Sequence, residues 1–286
     1  MILISDSGST KAEWIILSEK GISEPLFTSG INPFFQDSED IIRNLKLEFT
    51  SLHRKFDAIY FYGAGCTNQE KGEIVKSALS HFFDSGNIHI GSDLLAAARS
   101  LCGNTPGIAC ILGTGSNSCF YDGERIVDQV SPLGFILGDE GSGAVLGKKL
   151  LGDILKKQLP PKITADFFEI YSITAAEILD NVYKRPFPNR YLAQFTKFLS
   201  KNIQKTEIEH IVISAFGEFI TRNLMQYPSI ECTPINFTGS IAFHFELQLR
   251  KALAEKNLQA GEINQAPMNG LITYHQNNLQ KHQAYL

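Results

Sequence analysis

The chain has 286 residues, of which 43% are hydrophobic and 20% are charged, and its formal net charge is -4. That length exceeds what one compact core usually holds, so we expect two domains in an ordinary folded globular protein. The slightly acidic charge and the scattered Lys and Arg residues indicate no nucleic-acid surface. No apolar run approaches the ~20 residues that cross a bilayer, so we expect no membrane partner.

The N-terminus and the cysteines favour a cytoplasmic location. Asp6 interrupts the apolar N-terminal segment, which therefore does not resemble a signal peptide. The cysteines are odd in number and form no CxxC pair, so we expect small, reduced core residues rather than disulfides or a zinc site. They are Cys66, Cys102, Cys110, Cys119 and Cys232.

The first half of the chain begins with a predicted hairpin. Short apolar segments at residues 1–5 and 12–18 flank a turn rich in Gly, Ser and Thr. A third strand is predicted at 24–29, and helical spacing of apolar residues predicts a helix over 38–53. Strand 58–62, helix 69–83, a strand ending at 90 and an alanine-rich helix at 93–101 follow.

At residue 107 the pattern begins again, with predicted strands at 108–112, 118–121 and 125–130. The chain is then mainly helical from 143 to about 224, with a strand at 235–238. This repetition predicts a duplicated α/β unit, with an N-terminal lobe at 1–106 and a C-terminal lobe at 107–269. A final helix within 270–286 could complete the first lobe or continue the second.

The turn at residues 6–11 is the first segment that suggests chemistry. Gly8 permits close backbone approach, and the amides and hydroxyls of Ser9 and Thr10 can donate to phosphate oxygens. Asp6 ends a predicted strand and could hold Mg²⁺ through water. A polar hairpin turn is the alternative interpretation. A P-loop is excluded because Lys11 is followed by no predicted helix and the upstream glycine spacing is missing.

A second glycine-rich turn directly follows the predicted strand at 108–112. Gly113, Thr114, Gly115 and Ser116 again offer small residues and hydroxyl donors. A dinucleotide-binding turn does not fit, because the last glycine is absent and no helix begins there. One such turn is weak evidence, but two at matching places in two half-chains could bind one polyphosphate from both sides.

Three acidic residues also lie in glycine-rich surroundings. Asp93 begins a predicted helix, where it could act as an N-cap or accept a proton from a substrate hydroxyl. Asp139 and Glu140 precede another helix. Burying their charges is costly unless they bind something, so a ligand-binding role is favoured over a helix-capping role.

Gly239 and Ser240 follow a predicted strand. They could contact adenosine or form a simple turn.

Together these segments resemble the sugar-kinase, actin and heat-shock-chaperone ATPase superfamily. More narrowly, they resemble the N-acetylglucosamine kinase branch of the BadF/BadG/BcrA/BcrD ATPase family. Leu-Gly-Asp-Glu-Gly-Ser-Gly at 137–143 is the most specific string, followed by Gly-Thr-Gly-Ser-Asn at 113–117. Relatives often carry Gly-Gly-Trp-Gly where this chain has Pro-Leu-Gly at 132–134. The resemblance implies an α/β fold of two ribonuclease-H-like lobes, with mixed sheets flanked by helices and a central cleft.

The resemblance also implies ATP and Mg²⁺ as cofactors and assigns residue roles. Asp93 corresponds to the family's catalytic aspartate, and Asp6 would hold Mg²⁺ through water. The implied phosphate ligands are Gly8, Ser9, Thr10, Lys11, Gly113, Thr114, Gly115 and Ser116. The implied adenosine ligands are Gly239 and Ser240, and the implied sugar ligands are Asn32, Gly65, Asn117, Asp139 and Glu140.

We therefore expect ATP-dependent phosphorylation of an amino sugar, N-acetylglucosamine at its 6-hydroxyl, by a chain that could form a homodimer. N-acetylmuramic acid and glucosamine stay open as acceptors, because the phosphate machinery would look the same. An ATPase that activates a partner enzyme through an iron–sulfur cluster is less favoured. Such a cluster needs closely placed thiolates, whereas Cys102, Cys110 and Cys119 belong to separate predicted elements.

Overall fold

The computed structural model describes residues 1–8, 10–49, 55–228 and 230–284, with side chains described as far as residue 280. These residues form two compact units. Unit 1 comprises Met1–Asn104 and the C-terminal segment that begins at Pro267, and unit 2 comprises Thr105–Ala266. Each unit contains one mixed sheet flanked by helices.

The elements of unit 1 alternate between strands and helices after an opening run of strands. In chain order they are β1 (Ile2–Ser7), β2 (Lys11–Ser18), β3 (Gly21–Ile22), β4 (Leu26–Ser29), α1 (Ser38–Glu48), β5 (Ala58–Gly63), α2 (Gln69–Phe82), β6 (Ile88–Ser92) and α3 (Asp93–Cys102).

Unit 2 begins with three strands and is then largely helical. Its elements are β7 (Gly107–Leu112), β8 (Ser116–Tyr121), β9 (Ile126–Asp128), α4 (Gly134–Leu137), α5 (Gly143–Leu155), α6 (Pro161–Tyr171), α7 (Ala175–Tyr183), α8 (Pro188–Ala193), α9 (Thr196–Lys201), α10 (Thr206–Arg222), β10 (Ile235–Thr238), α11 (Ser240–His244), α12 (Glu246–Ala254) and β11 (Ala260–Asn264). The C-terminal helix α13 (Met268–Ala284) returns to unit 1.

The two sheets share one strand pattern. Their orders are β3-β2-β1-β5-β6, with β4 also paired to β2, and β11-β10-β7-β8-β9. Central strands β1 and β7 each pair antiparallel with the next strand and parallel with a later one. The outer strands β6 and β11 both add in parallel. The predicted duplication of an α/β unit with mixed, helix-flanked sheets is therefore confirmed.

The sheet of unit 1 is covered on both faces, as the alternation of side chains along β1 requires. Leu3 points to a core that contains Trp14 and residues of α1 and α2. Ile2 and Ile4 point to the opposite core, where residues of α3 and α13 pack. In unit 2 the buried side chains of α5, α10 and α12 form one core with β7 and β10.

Several elements differ from the sequence predictions. The short strands β3 and β11 and the short helix α4 were not predicted, and β8 begins at Ser116 rather than at Ser118. Strand β11 escapes detection because it is short, has only one large apolar residue, Ile263, and shows no clean alternation of burial. Helix α1 ends at Glu48, and the remainder of the predicted helix over 38–53 falls largely outside the described residues.

The C-terminal helix packs on unit 1, which resolves its placement. Met268 and Leu271 of α13 are buried with Ile2 and Ile4 of β1. Gly270 lies so close to Ser100 of α3 that a Cβ there would overlap it. The two helices therefore pack tightly at this point.

The prediction that all five cysteines are core residues is wrong for Cys232. The other four thiols are buried, but Cys232 is exposed in a 3-10 turn at Ile230–Cys232. None of the helices in the described part of the chain combines the length and the apolarity that a bilayer-spanning segment needs.

Candidate active site

Two aspartates lie together at the carboxyl ends of strands in unit 1. Asp6 is near the end of β1, and Asp93 is the first residue of α3, directly after β6. Burial, then the charges of Asp93 and Glu13, raise the pKa of Asp6 to about 7. Burial also raises the pKa of Asp93. Neighbouring carboxylates of this kind share a proton or attract a cation.

The aspartate pair fits the way in which Mg²⁺ is usually bound. This cation prefers oxygen ligands, keeps several waters and is held by one or two carboxylates together with substrate phosphates. Across the residues that the structure describes, no group of three or more His, Cys, Asp or Glu side chains could form an all-protein metal site. Asp6 could hold Mg²⁺ in this way, with water and substrate phosphates as the other ligands.

Asp93 does not cap its helix, so the N-cap interpretation is wrong. Ser92 occupies the N-cap position, and its Oγ accepts the N–H of Leu95 at 3.1 Å. The Oδ1 of Asp93 accepts the adjacent N–H of Leu94 at 2.8 Å. The carboxylate of Asp93 thus satisfies one first-turn N–H of α3, and proton acceptance from a substrate hydroxyl stays a prediction.

Asn32 and Gly65, both predicted sugar ligands, are neighbours. Gly65 has φ +86°, and a Cβ at this position would overlap Oδ1 of Asn32 and lie 3.0 Å from the ring of Phe34. Asn32 is buried, and its Oδ1 accepts the N–H of Phe34 at 3.0 Å. Cys66 follows Gly65, and burial together with the charge of Asp93 raises the pKa of its thiol to about 12. The predicted sugar ligands Asn32 and Gly65 therefore lie at the same end of unit 1 as Asp93, the catalytic candidate.

The predicted first phosphate turn is closed by its own backbone. The N–H of Gly8 donates to the carbonyl of Lys11 at 3.0 Å, and the N–H of Gly30 donates to the carbonyl of Thr10 at 3.0 Å. The ammonium of Lys11 lies over the ring of Phe27, 3.4 Å from its centroid. Ser9 lies outside the described residues. Thr10 is exposed, so its hydroxyl can meet a ligand.

The second predicted phosphate turn, in unit 2, is tied to the N-terminus of α5. Gly143 donates its N–H to the carbonyl of Gly113 at 2.8 Å, and Ala144 donates to the carbonyl of Thr114 at 3.1 Å. Within the turn, the N–H of Gly113 donates to the carbonyl of Gly115 at 2.9 Å. The conformation of the turn is therefore fixed before any ligand binds.

Asp139 lies against this second turn. It accepts the N–H of Ser116 at 3.3 Å, and a Cβ on Gly115 would be 3.1 Å from its Oδ2. Burial raises the pKa of Asp139 to about 6, although the Ser116 hydrogen bond opposes the shift. Asp139 has φ +54°, which is strained for a residue other than glycine. The structure therefore places Asp139, a predicted sugar ligand, in contact with Ser116, a predicted phosphate ligand.

Asn117 and Glu140 are both engaged by other protein groups. The Oδ1 of Asn117 accepts from the N–H of Ser118 at 3.0 Å and from Nε2 of Gln129 at 3.1 Å. Glu140 is buried against Arg222, whose Nε lies at 2.7 Å, and Asn223, whose Nδ2 donates at 3.3 Å. These partners offset the cost of burying Glu140, so its burial does not by itself indicate a ligand.

The capping explanation for Asp139 and Glu140 is also wrong. Helix α5 begins at Gly143, and its N-cap is Ser142, whose Oγ accepts the N–H of Val145 at 3.3 Å. The two carboxylates precede that cap and do not satisfy the helix end. They consequently have different positions, Asp139 on the glycine turn and Glu140 on the end of α10.

The predicted adenosine residues follow β10, the strand beside β7. Gly239 has φ +114°, and a Cβ there would overlap the backbone of Leu112, which ends β7. Its N–H donates to the carbonyl of Asn264 at 2.9 Å, and Ser240 begins α11. Gly239 is thus placed next to the strand that carries the second glycine turn.

The chain is similar along its length to solved sugar kinases. A Porphyromonas gingivalis structure, provisionally named an N-acetylglucosamine kinase, is 44% identical, with a TM-score of 0.91, over 97% of this chain and 99% of that chain. This chain belongs to the same sugar-kinase family as that protein. The family resemblance carried by the motifs is thereby confirmed at this level.

Two more distant structures show the same fold. A Chromobacterium violaceum protein, also provisionally named an N-acetylglucosamine kinase, is 17% identical with a TM-score of 0.73, over 96% of this chain and 98% of that chain. A ROK-family glucokinase from Streptomyces griseus, in complex with glucose and AMPPNP, is 14% identical with a TM-score of 0.55, over 96% of this chain and 97% of that chain. No family model and no curated protein sequence matches the chain.

Three residues that shape the site of this kinase-family chain were not predicted. Glu13 faces Asp6 across the β1–β2 hairpin, and the hairpin register could have revealed it. Ser92 is a favourable N-cap type directly before a helix, which is a detectable local signal. Arg222 reaches Glu140 from the end of α10, and no local pattern indicates so distant a pairing.

Proposed function

We propose that this chain transfers the γ-phosphoryl group of ATP to the 6-hydroxyl of N-acetylglucosamine. The observation that carries the proposal is the 44% identity, over 97% of the chain, to the P. gingivalis protein with that provisional name. The donor in the proposal is ATP, whose analogue AMPPNP is held by the glucokinase of the same fold. A cytoplasmic location is part of the proposal, because ATP is available to enzymes there.

In this proposal Asp93 is the general base. Its carboxylate accepts the proton of the sugar hydroxyl while that oxygen forms a bond to the γ-phosphorus and the bond to the β–γ bridging oxygen breaks. Burial raises the pKa of Asp93, which makes its carboxylate a stronger base than an exposed aspartate.

Asp6 would hold Mg²⁺ through water in the same proposal. When bound, Mg²⁺ supplies charge neutralisation for the phosphoryl oxygens. Asp6 suits this role because its pKa is raised by burial and by two neighbouring carboxylates, so a cation relieves an unfavourable charge. The hydroxyl of Thr10, in the turn that follows Asp6, would then donate to a phosphate oxygen, whereas the N–H of Gly8 already donates to the carbonyl of Lys11.

The remaining ligands are divided between the units. Asn32, the backbone at Gly65 and Asp139 are proposed to bind the sugar, and Gly239 with Ser240 the adenosine. The second set of phosphate donors is the turn that contains Thr114 and Ser116, together with its glycines. Asn117 and Glu140 are engaged by protein groups, so we keep them as supports of the site rather than as ligands.

The alternative of an iron–sulfur activator ATPase is not supported by the placement of its thiols. Cys102 belongs to unit 1, whereas Cys110 and Cys119 belong to neighbouring strands of unit 2. A cluster requires several thiolates at one point. The described residues contain no such group.

The proposal is tested by measuring ADP release with a panel of acceptors in the presence of Mg²⁺. The panel contains N-acetylglucosamine, N-acetylmuramic acid, glucosamine and glucose. We expect the highest kcat/KM for N-acetylglucosamine, and phosphorus NMR of the product should show a phosphate ester at carbon 6. ADP release that no sugar stimulates would overturn the proposal, and a preference for N-acetylmuramic acid would replace its acceptor.

A further inference from the structure

A groove runs along the outer edge of the sheet in unit 1. Strand β6 is the edge strand, and a pocket of about 510 Å³ lies over it, lined by residues of α2, β6 and α3. A second pocket of about 290 Å³ is lined partly by α13. His89 and Arg99 line both pockets, so the two form neighbouring parts of one groove. None of the proposed ATP or sugar ligands lines it.

Arg99 is held in a fixed position in this groove. Its NH1 donates to the hydroxyl of Tyr62 at 2.8 Å. Its guanidinium also lies 5.1 Å from the ring centroid of Tyr274 and 5.7 Å from that of Tyr62. The Tyr62 hydroxyl also forms a hydrogen bond with Nε2 of His275 at 2.9 Å. A guanidinium fixed by such contacts is pre-organised for an anion.

A second cation, Lys76 of α2, faces the same place. Burial, Arg99 and Lys76 all lower the pKa of His89, so positive charge approaches this imidazole from two helices. Glu73 is the one carboxylate among the residues that line the larger pocket, and it lies 3.9 Å from Lys76. That ion pair is exposed and long, so it holds Lys76 only weakly.

Neutral polar groups complete the larger pocket. Asn68, Gln69 and Ser92 line it together with the two cations. Two of these side chains cap helices, because Asn68 accepts the N–H of Lys71 at 2.9 Å and Ser92 caps α3. Their positions are therefore fixed, and their remaining donors suit the hydroxyl and amide groups of a polar ligand.

We propose that this groove binds a phosphate monoester of a small sugar or polyol, with the phosphate against Lys76 and Arg99 and the hydroxyls against Asn68, Gln69 and Ser92. A phosphate monoester is close to a dianion at neutral pH, which matches two cations. Arginine binds phosphate through a planar pair of donors. The volume of the larger pocket is ample for a hexose phosphate.

The inference rests on the proposed function in one respect, the choice of the first ligand to test. The product of that reaction, an amino sugar 6-phosphate, belongs to this chemical class. Helix α3 connects the groove to the proposed chemistry, because it carries Asp93 at its first position and Arg99 further along.

Binding is measured by calorimetry on the full chain, with N-acetylglucosamine and AMPPNP at saturating concentrations so that the acceptor site is filled. The probe is N-acetylglucosamine 6-phosphate. We expect Lys76→Ala to weaken its Kd about tenfold, the loss of one charged hydrogen bond. Arg99→Lys should also weaken it, because the planar fork is lost. Lys46→Ala, at an exposed lysine of α1 outside both pockets, is the control and should leave the Kd unchanged.

Two further measurements identify the ligand and its place. Inorganic phosphate and glucose 6-phosphate are titrated in parallel. Binding of all three indicates a general phosphate site, and binding of the product alone indicates product regulation. Proton NMR of the histidines should show the pKa of His89 rising when the phosphate binds, since a dianion offsets the two cations.

The inference is overturned if the wild-type chain binds none of these phosphates with the acceptor site filled, or if Lys76→Ala binds them as tightly as wild type does. The readout involves no phosphoryl transfer, which separates it from the proposed function. A chain that phosphorylates N-acetylglucosamine but shows no second phosphate site contradicts this inference alone. A chain that binds phosphate in the groove but phosphorylates no sugar contradicts the proposed function alone.

Discussion

The carboxylate of Asp139 accepts a hydrogen bond from the backbone N–H of Ser116 at 3.3 Å, so it lies on the second glycine turn. A phosphate oxygen bound by the same N–H would meet the negative charge of Asp139. The two ligands proposed for this place therefore depend on each other. If a sugar hydroxyl donates to Asp139, its carboxylate can leave Ser116, and nucleotide binding becomes easier.

The first prediction concerns Asp139→Asn, which keeps the side-chain oxygen but removes the charge. Without sugar, we expect AMPPNP to bind about threefold more tightly, because a charge near the phosphates is gone. The KM for N-acetylglucosamine should rise about tenfold, because a charged acceptor of its hydroxyl is lost. Calorimetry and steady-state kinetics measure the two effects. An unchanged KM would remove Asp139 from the sugar ligands.

The sequence predicts the parts of this fold that depend on local pattern. The hairpin β1–β2 and its repeat β7–β8 are visible because apolar strands flank glycine-rich turns, and α3 is visible from its alanines and its apolar spacing. Strand β11 is not visible, because its five residues carry no strand pattern of their own and become a strand by pairing with β10. The packing of α13 on unit 1 is likewise a tertiary property.

In the candidate active site, too, the sequence predicts what depends on local pattern and misses what depends on tertiary contacts. Asp6 and Asp93 can be proposed from sequence because each follows a predicted strand. Whether Ser92 or Asp93 caps α3 depends on where the helix begins to within one residue, and sequence patterns rarely define a helix end that closely. The salt bridge between Glu140 and Arg222 could not be predicted, because a pairing between distant segments leaves no periodic signal in the sequence.

The second prediction is that Asp93→Asn lowers kcat by about 10²–10⁴-fold, the usual contribution of a general base. Nucleotide affinity should be unchanged, because Asp93 does not belong to either proposed phosphate turn. Ser92→Ala is the matched control, since it removes the cap of the same helix and should cost about 1 kcal/mol of stability. Its kcat should fall far less. Equal losses of kcat in the two variants would indicate a structural role for Asp93.

The third prediction concerns the pH dependence of stability. Asp6 keeps its proton to about pH 7 in the folded chain, whereas its ordinary pKa is 3.8. As pH rises between these values, the unfolded state binds fewer protons than the folded state, so the free energy of unfolding falls. The raised pKa of Asp139, about 6, acts in the same direction.

Asp6→Asn should therefore flatten the decline of stability across this window, leaving the parts due to Asp93 and Asp139, whose pKa values are also raised. Urea unfolding at a series of pH values measures it. Mg²⁺ with AMPPNP should raise the Tm of the wild-type chain more than that of the variant, because the variant lacks the proposed ligand. A variant that keeps the full wild-type slope would show that Asp6 does not carry a raised pKa.

The fourth prediction separates Glu140 from the sugar ligands. Glu140→Gln removes the charge that faces Arg222, and we expect a loss of about 1–2 kcal/mol of stability because Arg222 is itself largely exposed. Arg222→Gln should cost a similar amount, and the double variant should cost less than the sum. The KM for N-acetylglucosamine should not change in either variant. A raised KM in Glu140→Gln alone would return Glu140 to the sugar site.

The last prediction uses two glycines of unit 1 that both have positive φ. Gly65→Ala forces a Cβ into Oδ1 of Asn32, whereas Gly21→Ala, at φ +118°, meets no atom within 4 Å. Both variants carry backbone strain of about 1 kcal/mol or more. Only Gly65→Ala should also displace Asn32, so we expect it to lose more stability and to raise the KM for N-acetylglucosamine. Thermal unfolding and kinetics of the pair measure this difference. If both variants keep the wild-type KM, the contact between Gly65 and Asn32 does not shape the sugar site.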